Sequence, residues 1–132
     1  MAEKKTQSAS AAKPTRPAAR RPNGEAEVLA TIAEMTGPDR VLAERLHAIV
    51  NANAPTLVPR LWYGMPAYAK DGTVICFFQS ALKFNTRYAT FGFQHDANLD
   101  DGHMWPVAFA LTEISDTDEA LIADLVARAV SR

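Results

Sequence analysis

The sequence predicts an α+β domain, in which an antiparallel sheet of about four to five strands is flanked by two N-terminal helices and one C-terminal helix. Three observations support this fold class. Apolar residues fall at helical spacing over residues 25–53 and again after Ser115. Between these regions the apolar pattern changes to a period of two. The resulting order, ααββββα with hairpin-linked strands, is typical of helices segregated against an antiparallel sheet.

Two helices are predicted at the start of the domain from apolar spacing and from the signals at the helix ends. Residues 25–36 carry apolar side chains at helical spacing, with glutamates on the other side. Residues 37–53 carry two signals near their start: Pro38, which suits the first helical position, and Asp39, whose charge complements the helix dipole. The residues predicted to be buried on these helices are Val28, Leu29, Ile32, Met35, Leu42, Leu46, Ile49 and Val50.

Four strands are predicted to follow. Pro66 places the first at a sheet edge or a bulge, and Asp71-Gly72 then signals a two-residue hairpin. The second strand is apolar at nearly every position, as in a central strand covered on both faces. The third alternates sharply and either continues or begins a bulge at Gly92. The predicted strands are residues 61–69, 73–80, 82–88 with the continuation 89–93, and 104–111.

The C-terminal helix is predicted to begin after Ser115, which suits the capping position and is followed by three acidic residues in the first turn. Its predicted buried residues are Leu121, Ile122, Leu125, Val126 and Ala129. In the strand before it, the large residues predicted to face the core are Trp105, Val107, Phe109 and Leu111.

Composition divides the chain into a disordered basic tail, residues 1–24, and a domain, residues 25–132. Residues 1–22 carry six basic side chains and one acidic one, whereas residues 23–132 carry eight basic and fourteen acidic ones. The first segment has too few apolar residues to offset the entropy of ordering it. We interpret it as a solubilising extension, with contact to nucleic acid as the alternative.

The remaining composition predicts a cytoplasmic protein without a membrane partner. No run of apolar residues reaches the ~18 that a membrane helix needs. The single cysteine, Cys76, excludes an internal disulfide and a zinc site built from cysteines. It lies in the most apolar predicted strand, where a buried thiol would be inert.

Residues 93–106 hold the residues with the strongest resemblance to metal ligands. The candidate ligands are His95, Asp96, Asp100, Asp101 and His103. Asp96, Asn98 and Asp100 match positions one, three and five of a calcium-binding loop, but Asp101 stands at position six, where that loop needs glycine. The favoured interpretation is a polar connection that bonds to its own backbone, with Gly102 at positive φ. Metal binding is the alternative, and it requires the two histidines to converge.

A second candidate site is a binding face on the third predicted strand. Lys83, Asn85 and Arg87 would point to one side of that strand, and Tyr63 would add an aromatic contact. Such a face suits an anionic ligand or a protein partner, and a solvated sheet face is the alternative. No catalytic residues are predicted, since the chain contains no P-loop, GxSxG, GxGxxG or HExxH motif.

Four segments in order, WYGMPAY, DGTVICFFQ, KFNTRYATFGF and ANLDDGHMWPVAFALTEI, resemble the YdhG-like family of small domains of unknown function. That family is grouped with frataxin-like folds, and the resemblance runs from about Glu25 to Val130. It implies the helix-flanked antiparallel sheet derived above. The family pattern does not require histidine at the positions of His95 and His103.

The resemblance implies a functional role because some relatives are described as intracellular iron chaperones. Iron would then be bound weakly by exposed carboxylates, and the partners would be iron–sulfur or haem assembly proteins. The carboxylates suited to this role are Glu25, Glu27, Glu34, Asp39 and Glu44. The sequence therefore predicts a small non-catalytic binding domain, with an iron carrier, an interaction module at Lys83–Arg87 and tail-mediated nucleic-acid association as specific forms.

Overall fold

The structure is a computed structural model that describes residues 22–131. Two helices, five strands and a final helix follow one another along the chain, which confirms the predicted α+β class. The predicted basic tail and Arg132 lie outside the described residues, apart from the last three residues of the tail, 22–24, which begin the first helix. The elements are α1 (Pro22–Glu34), α2 (Gly37–Asn53), β1 (Val58–Trp62), β2 (Met65–Lys70), β3 (Thr73–Gln79), β4 (Ala89–Phe93), β5 (Ala108–Leu111) and α3 (Asp116–Ala129).

The five strands form one antiparallel sheet in the order β1-β2-β3-β4-β5, so that each strand pairs with its neighbour in sequence. The predicted hairpin at Asp71-Gly72 is confirmed. Both residues have positive φ, 52° and 84°, as a tight turn between twisted strands requires. None of the helices among residues 22–131 is long and apolar enough to cross a membrane.

The prediction of one strand over residues 61–69 is wrong, because the chain turns at Tyr63 and Gly64 and forms the β1–β2 hairpin. Both turn residues have positive φ, 52° and 76°. Tyrosine is rare in that conformation, and the apolar run continues through the turn. The prediction that Pro66 marks an edge strand or a bulge is wrong, since β2 lies between β1 and β3 and the irregularity comes later. Pro66 is tolerated because the pairing of β2 with β3 begins at the next residue, Ala67, so its missing N–H removes no bond to β3.

The prediction of a strand over residues 82–88 is also wrong. This segment is a loop between β3 and β4, which we call the 80–88 loop. Its alternation of apolar and polar residues has no sheet to match, since Leu82 is 73% exposed. Asn85 has a φ of 56°, and the amide of Thr86 donates to the carbonyl of Ala81 over 2.9 Å. The loop therefore closes on itself before the sheet resumes at Ala89.

Two smaller strand predictions need correction. Gly92 pairs regularly with Phe77 and starts no bulge; the irregularity lies between Tyr68 and Ala69. Glycine is needed at position 92 because a Cβ there would lie 2.6 Å from the Phe77 ring. The last strand covers only residues 108–111. Val107 is consequently exposed, although Trp105, Phe109 and Leu111 contact the core as predicted.

All three helices pack on one face of the sheet. Their buried side chains form a single cluster with one set of strand residues, among them Tyr68, Phe78 and Phe91. Cross-strand partners share a face of a sheet, and the row Arg60–Ala67–Phe77–Gly92–Ala108 lies on the opposite face. The sequence predicted that β3 is covered on both faces, but helices cover only one of them. Its apolar outer residues are covered in part by neighbouring rings, since Trp62 and Phe77 lie 5.3 Å apart.

The predicted cap of α3 is confirmed. Asp118 N–H donates to Ser115 Oγ over 3.1 Å, and Ser115 N–H donates to Asp118 Oδ2 over 3.0 Å, which is a reciprocal capping box. The bond from the Ser115 backbone lowers the pKa of the Asp118 carboxyl. Leu121 and, on α1, Leu29 are half exposed rather than buried, since each lies at the margin of its apolar stripe.

Candidate functional site

A pocket of about 370 Å³ opens between the α1–α2 turn, the β1–β2 hairpin and the 80–88 loop, and we call it the loop pocket. The protein supplies apolar groups from all three elements. Phe78 is fully buried beneath it and Met65 nearly so, whereas Phe84 is 38% exposed. The apolar lining residues are Met35, Met65, Pro66, Phe78, Leu82 and Phe84.

Asp39 fixes the base of the 80–88 loop. Its two carboxylate oxygens accept the backbone N–H groups of Ala81 and Leu82 over 3.0 and 2.9 Å. The side chain lies in the first turn of α2 and the residue is only 6% exposed. A buried carboxylate is tolerated there because two amide donors and the helix N-terminus stabilise its charge.

Lys83 joins the loop to the β1–β2 hairpin. Its Nζ donates to the carbonyl of Gly64 over 3.0 Å and lies 5.6 Å from the centre of the Phe84 ring. A Cβ at position 64 would collide with Nζ, so glycine serves both the close approach and the positive φ. The backbone N–H of Lys83 donates to Ser80 Oγ over 3.3 Å, and Ser80 is buried beside the pocket.

The four residues of the predicted binding face do not share the face of a strand, because residues 82–88 form a loop. Lys83 lines the loop pocket, while Arg87 lines a second pocket and lies over the Tyr88 ring at 5.2 Å. Asn85 occupies the turn within the loop. Tyr63 is 80% exposed at the hairpin, edge-on to Trp62. The structure therefore brings Lys83 and Arg87 into two separate concave sites and not onto one shared face.

The 93–106 segment connects β4 to β5, and Gly102 has the predicted positive φ, 71°. The predicted bonding to the segment's own backbone is wrong for the Asn98 side chain. Asn98 attaches the segment to the end of α3, with its Nδ2 donating to the carbonyl of Ser131 over 2.6 Å. Of the five candidate ligands, His95 and Asp96 approach each other, at 3.8 Å and in exposed positions. Within residues 22–131 no three His, Cys, Asp or Glu side chains are grouped so that they could hold a metal ion.

The carboxylates that the resemblance assigned to iron are separately engaged or dispersed. Glu25 Oε2 lies 3.4 Å from His47 Nε2, and Glu44 pairs with Arg40 over 3.0 Å. Asp39 is occupied by the loop amides described above. Glu27 and Glu34 are exposed on α1.

His47 belongs to a buried hydrogen-bonded chain instead of an open site. Its Nδ1 lies 2.9 Å from the hydroxyl of Tyr68, and its other ring nitrogen approaches Glu25, so the chain connects α1, α2 and β2. Burial raises the pKa of the Tyr68 hydroxyl and of the adjacent Cys76 thiol. Both groups therefore stay protonated at neutral pH, and Cys76 is the inert buried thiol that its strand predicted.

Sequence reasoning did not identify Ser80 or Gly64 as parts of a site. It placed Asp39 in the first turn of a helix and among the carboxylates suited to iron, but it did not reveal the bonds from Asp39 to residues 42 and 43 positions away. The weak signal for Gly64 was a glycine inside an apolar run, which indicates close approach of another group.

Comparisons of this chain with family models, with curated proteins and with solved structures gave no match. The resemblance to the YdhG-like family therefore stays a prediction, and the function is inferred from the geometry of the site.

Replacing Asp39 with asparagine should loosen the 80–88 loop. Asparagine keeps one oxygen and places an NH2 donor where the other oxygen stood, so one of the two backbone N–H groups loses its acceptor. We expect the free energy of unfolding to fall by about 1–3 kcal/mol, with faster hydrogen exchange at the amides of Ala81 and Leu82. Glu44→Gln, on the exposed side of the same helix, is the matched control. Equal effects of the two substitutions would contradict the anchoring role of Asp39.

Replacing Tyr68 with phenylalanine should destabilise the domain by removing the partner of His47 Nδ1. A buried polar atom without a partner costs about 1–3 kcal/mol, which urea denaturation measures directly. Tyr88→Phe removes the same atom from a ring that is 37% exposed and should change stability little. The role of the buried chain is refuted if both variants unfold at the same urea concentration.

Proposed function

We propose that this domain is a non-catalytic binding module for a small organic ligand, and that the ligand occupies the loop pocket. The observation that carries the proposal is the meeting of an apolar floor with a few polar groups in one concave site. The polar groups include Lys83, Ser80 and Glu34. Ligand sites in proteins combine these two features.

The size and lining of the pocket support a small ligand. Its volume of about 370 Å³ falls within the range of about 300–1,000 Å³ that is usual for ligand sites. Phe78 and Met65 present a preformed apolar surface, and Leu82 and Phe84 expose apolar area at the rim. A ligand that covered this area would gain hydrophobic stabilisation without requiring the fold to rearrange.

The placement of the ionisable groups supports binding without catalysis. The groups whose pKa is raised by burial, Tyr68 and Cys76, lie in the core and do not line the loop pocket. His47 bonds to Tyr68 rather than lining the pocket. The buried carboxylate of Asp39 already accepts two backbone amides, which occupies it as a structural anchor.

A fragment screen by NMR tests the proposal. Neutral, anionic, cationic and zwitterionic fragments are added to the full chain, and amide shifts are mapped. We expect binding fragments to shift amides of the α1–α2 turn, Met65 and the 80–88 loop. Thr31→Trp, which places an indole in the pocket from α1, should abolish these shifts. Thr117→Trp, at an exposed position of α3, should preserve them.

Two results of the screen would contradict the proposal. One is the absence of any fragment that shifts the pocket amides of the folded wild-type chain. The other is unchanged binding in Thr31→Trp, because the ligand would then lie elsewhere.

We retain the expectations that come from the family resemblance as separate proposals: membership of the YdhG-like family, a frataxin-like fold, a cytoplasmic location, and iron–sulfur or haem assembly proteins as partners. Association of nucleic acid with the basic tail is likewise a proposal. An iron-carrier role predicts that ferrous iron, added anaerobically, shifts the amides around Glu27 and Glu34, whose carboxylates are exposed. Unmoved amides there at millimolar iron would remove that role.

A further inference from the structure

We propose that the loop pocket selects a small zwitterion with an apolar substituent, of the class of a free α-amino acid with an apolar side chain. This inference rests on the proposed ligand-binding function and specifies the ligand class of the same site. It follows from the charges at the rim of the pocket and from the apolar surface below them.

Two opposite charges line the pocket without neutralising each other. Lys83 is the one cation among the described residues of the lining, and Glu34, the last residue of α1, is an exposed carboxylate. Among the ion pairs of residues 22–131, none involves Lys83 or Glu34. The Lys83 ammonium donates one N–H to the Gly64 carbonyl and retains two donors. A carboxylate and an ammonium group on one ligand would match both charges.

The other polar groups agree with this assignment. Asp39 is the second carboxylate of the lining, but each of its oxygens already accepts a backbone amide. The two amides and the N-terminus of α2 partly balance its charge, so it attracts a ligand ammonium less than the exposed carboxylate of Glu34 does. Ser80 Oγ accepts the Lys83 amide, so its hydroxyl hydrogen can be donated to a ligand carboxylate near Lys83.

A ligand with a single charge fits this rim less well. A simple anion would be attracted to Lys83 and repelled by Glu34 and Asp39, whereas a simple cation would be attracted to the carboxylates and repelled by Lys83. The apolar floor of Phe78 and Met65 excludes a second charged group at depth, because burying an unpaired charge is costly. The combination favours one carboxylate and one ammonium at the rim, with a hydrocarbon side chain below.

Three matched compounds test the ligand class. L-norleucine is the zwitterion, hexanoate is the same skeleton without the amine, and pentylamine is the same skeleton without the carboxylate. Each is titrated into the full chain while the pocket amides are followed by NMR. Since an exposed ion pair changes affinity by about two- to fivefold, we expect a dissociation constant for norleucine at least about threefold lower than for either singly charged compound.

Paired variants separate the two charges. Lys83→Met should weaken norleucine by about two- to fivefold without weakening pentylamine. Lys70→Met is its control, because Lys70 also donates to one backbone carbonyl, that of Val130, away from the pocket. Glu34→Gln should weaken norleucine by a similar factor without weakening hexanoate, and Glu27→Gln on the same helix should change nothing.

The outcomes distinguish this inference from the proposed function. Hexanoate or pentylamine binding in the pocket as tightly as norleucine would overturn the zwitterion class and leave the binding function intact. The same holds if fragments of other classes bind there and norleucine does not. If neither these compounds nor any fragment shifts the pocket amides, the binding function itself is refuted.

Discussion

The loop pocket depends on one buried carboxylate. Asp39 accepts the amides of Ala81 and Leu82 and thereby fixes the nine-residue 80–88 loop between β3 and β4 as a wall of the pocket. Leu82, Phe84 and Tyr88 all expose apolar area. Without those two bonds, little would offset the entropy lost when the loop adopts one conformation. The side chain of Asp39, in the first turn of α2, thus anchors a loop that is distant in sequence, and its position in a helix does not reveal this role.

The placement of all three helices on one side of the sheet determines where a site can form. The cluster beneath the helices is continuous from Val28 on α1 to Val126 on α3. The other face is closed by contacts between rings and small residues, such as Phe77 over Gly92. The loop pocket lies at the margin of this cluster, over Phe78, where the hairpin, the α1–α2 turn and the loop approach one another.

Much of the fold could be predicted from the sequence, because helix periodicity, caps and the Asp71-Gly72 turn are local signals. The strand errors share a physical cause. Tyr63-Gly64 is a turn without the usual turn residues, and residues 82–88 alternate although no strand lies beside them. In each case a contact distant in sequence, Lys83 with Gly64 or Asp39 with Ala81, determines the conformation. The candidate site is built from the same contacts, which explains why Lys83 was identified and its setting was not.

The bond between Lys83 and the carbonyl of Gly64 couples the pocket to the β1–β2 hairpin. One ammonium group both holds the tip of the first hairpin and faces the space for a ligand. A ligand carboxylate held by the two remaining N–H groups of Nζ would engage the same ammonium, so occupancy of the pocket and order at Tyr63 would be thermodynamically linked. The exposed tyrosine ring beside Trp62 would then report occupancy through its fluorescence and mobility.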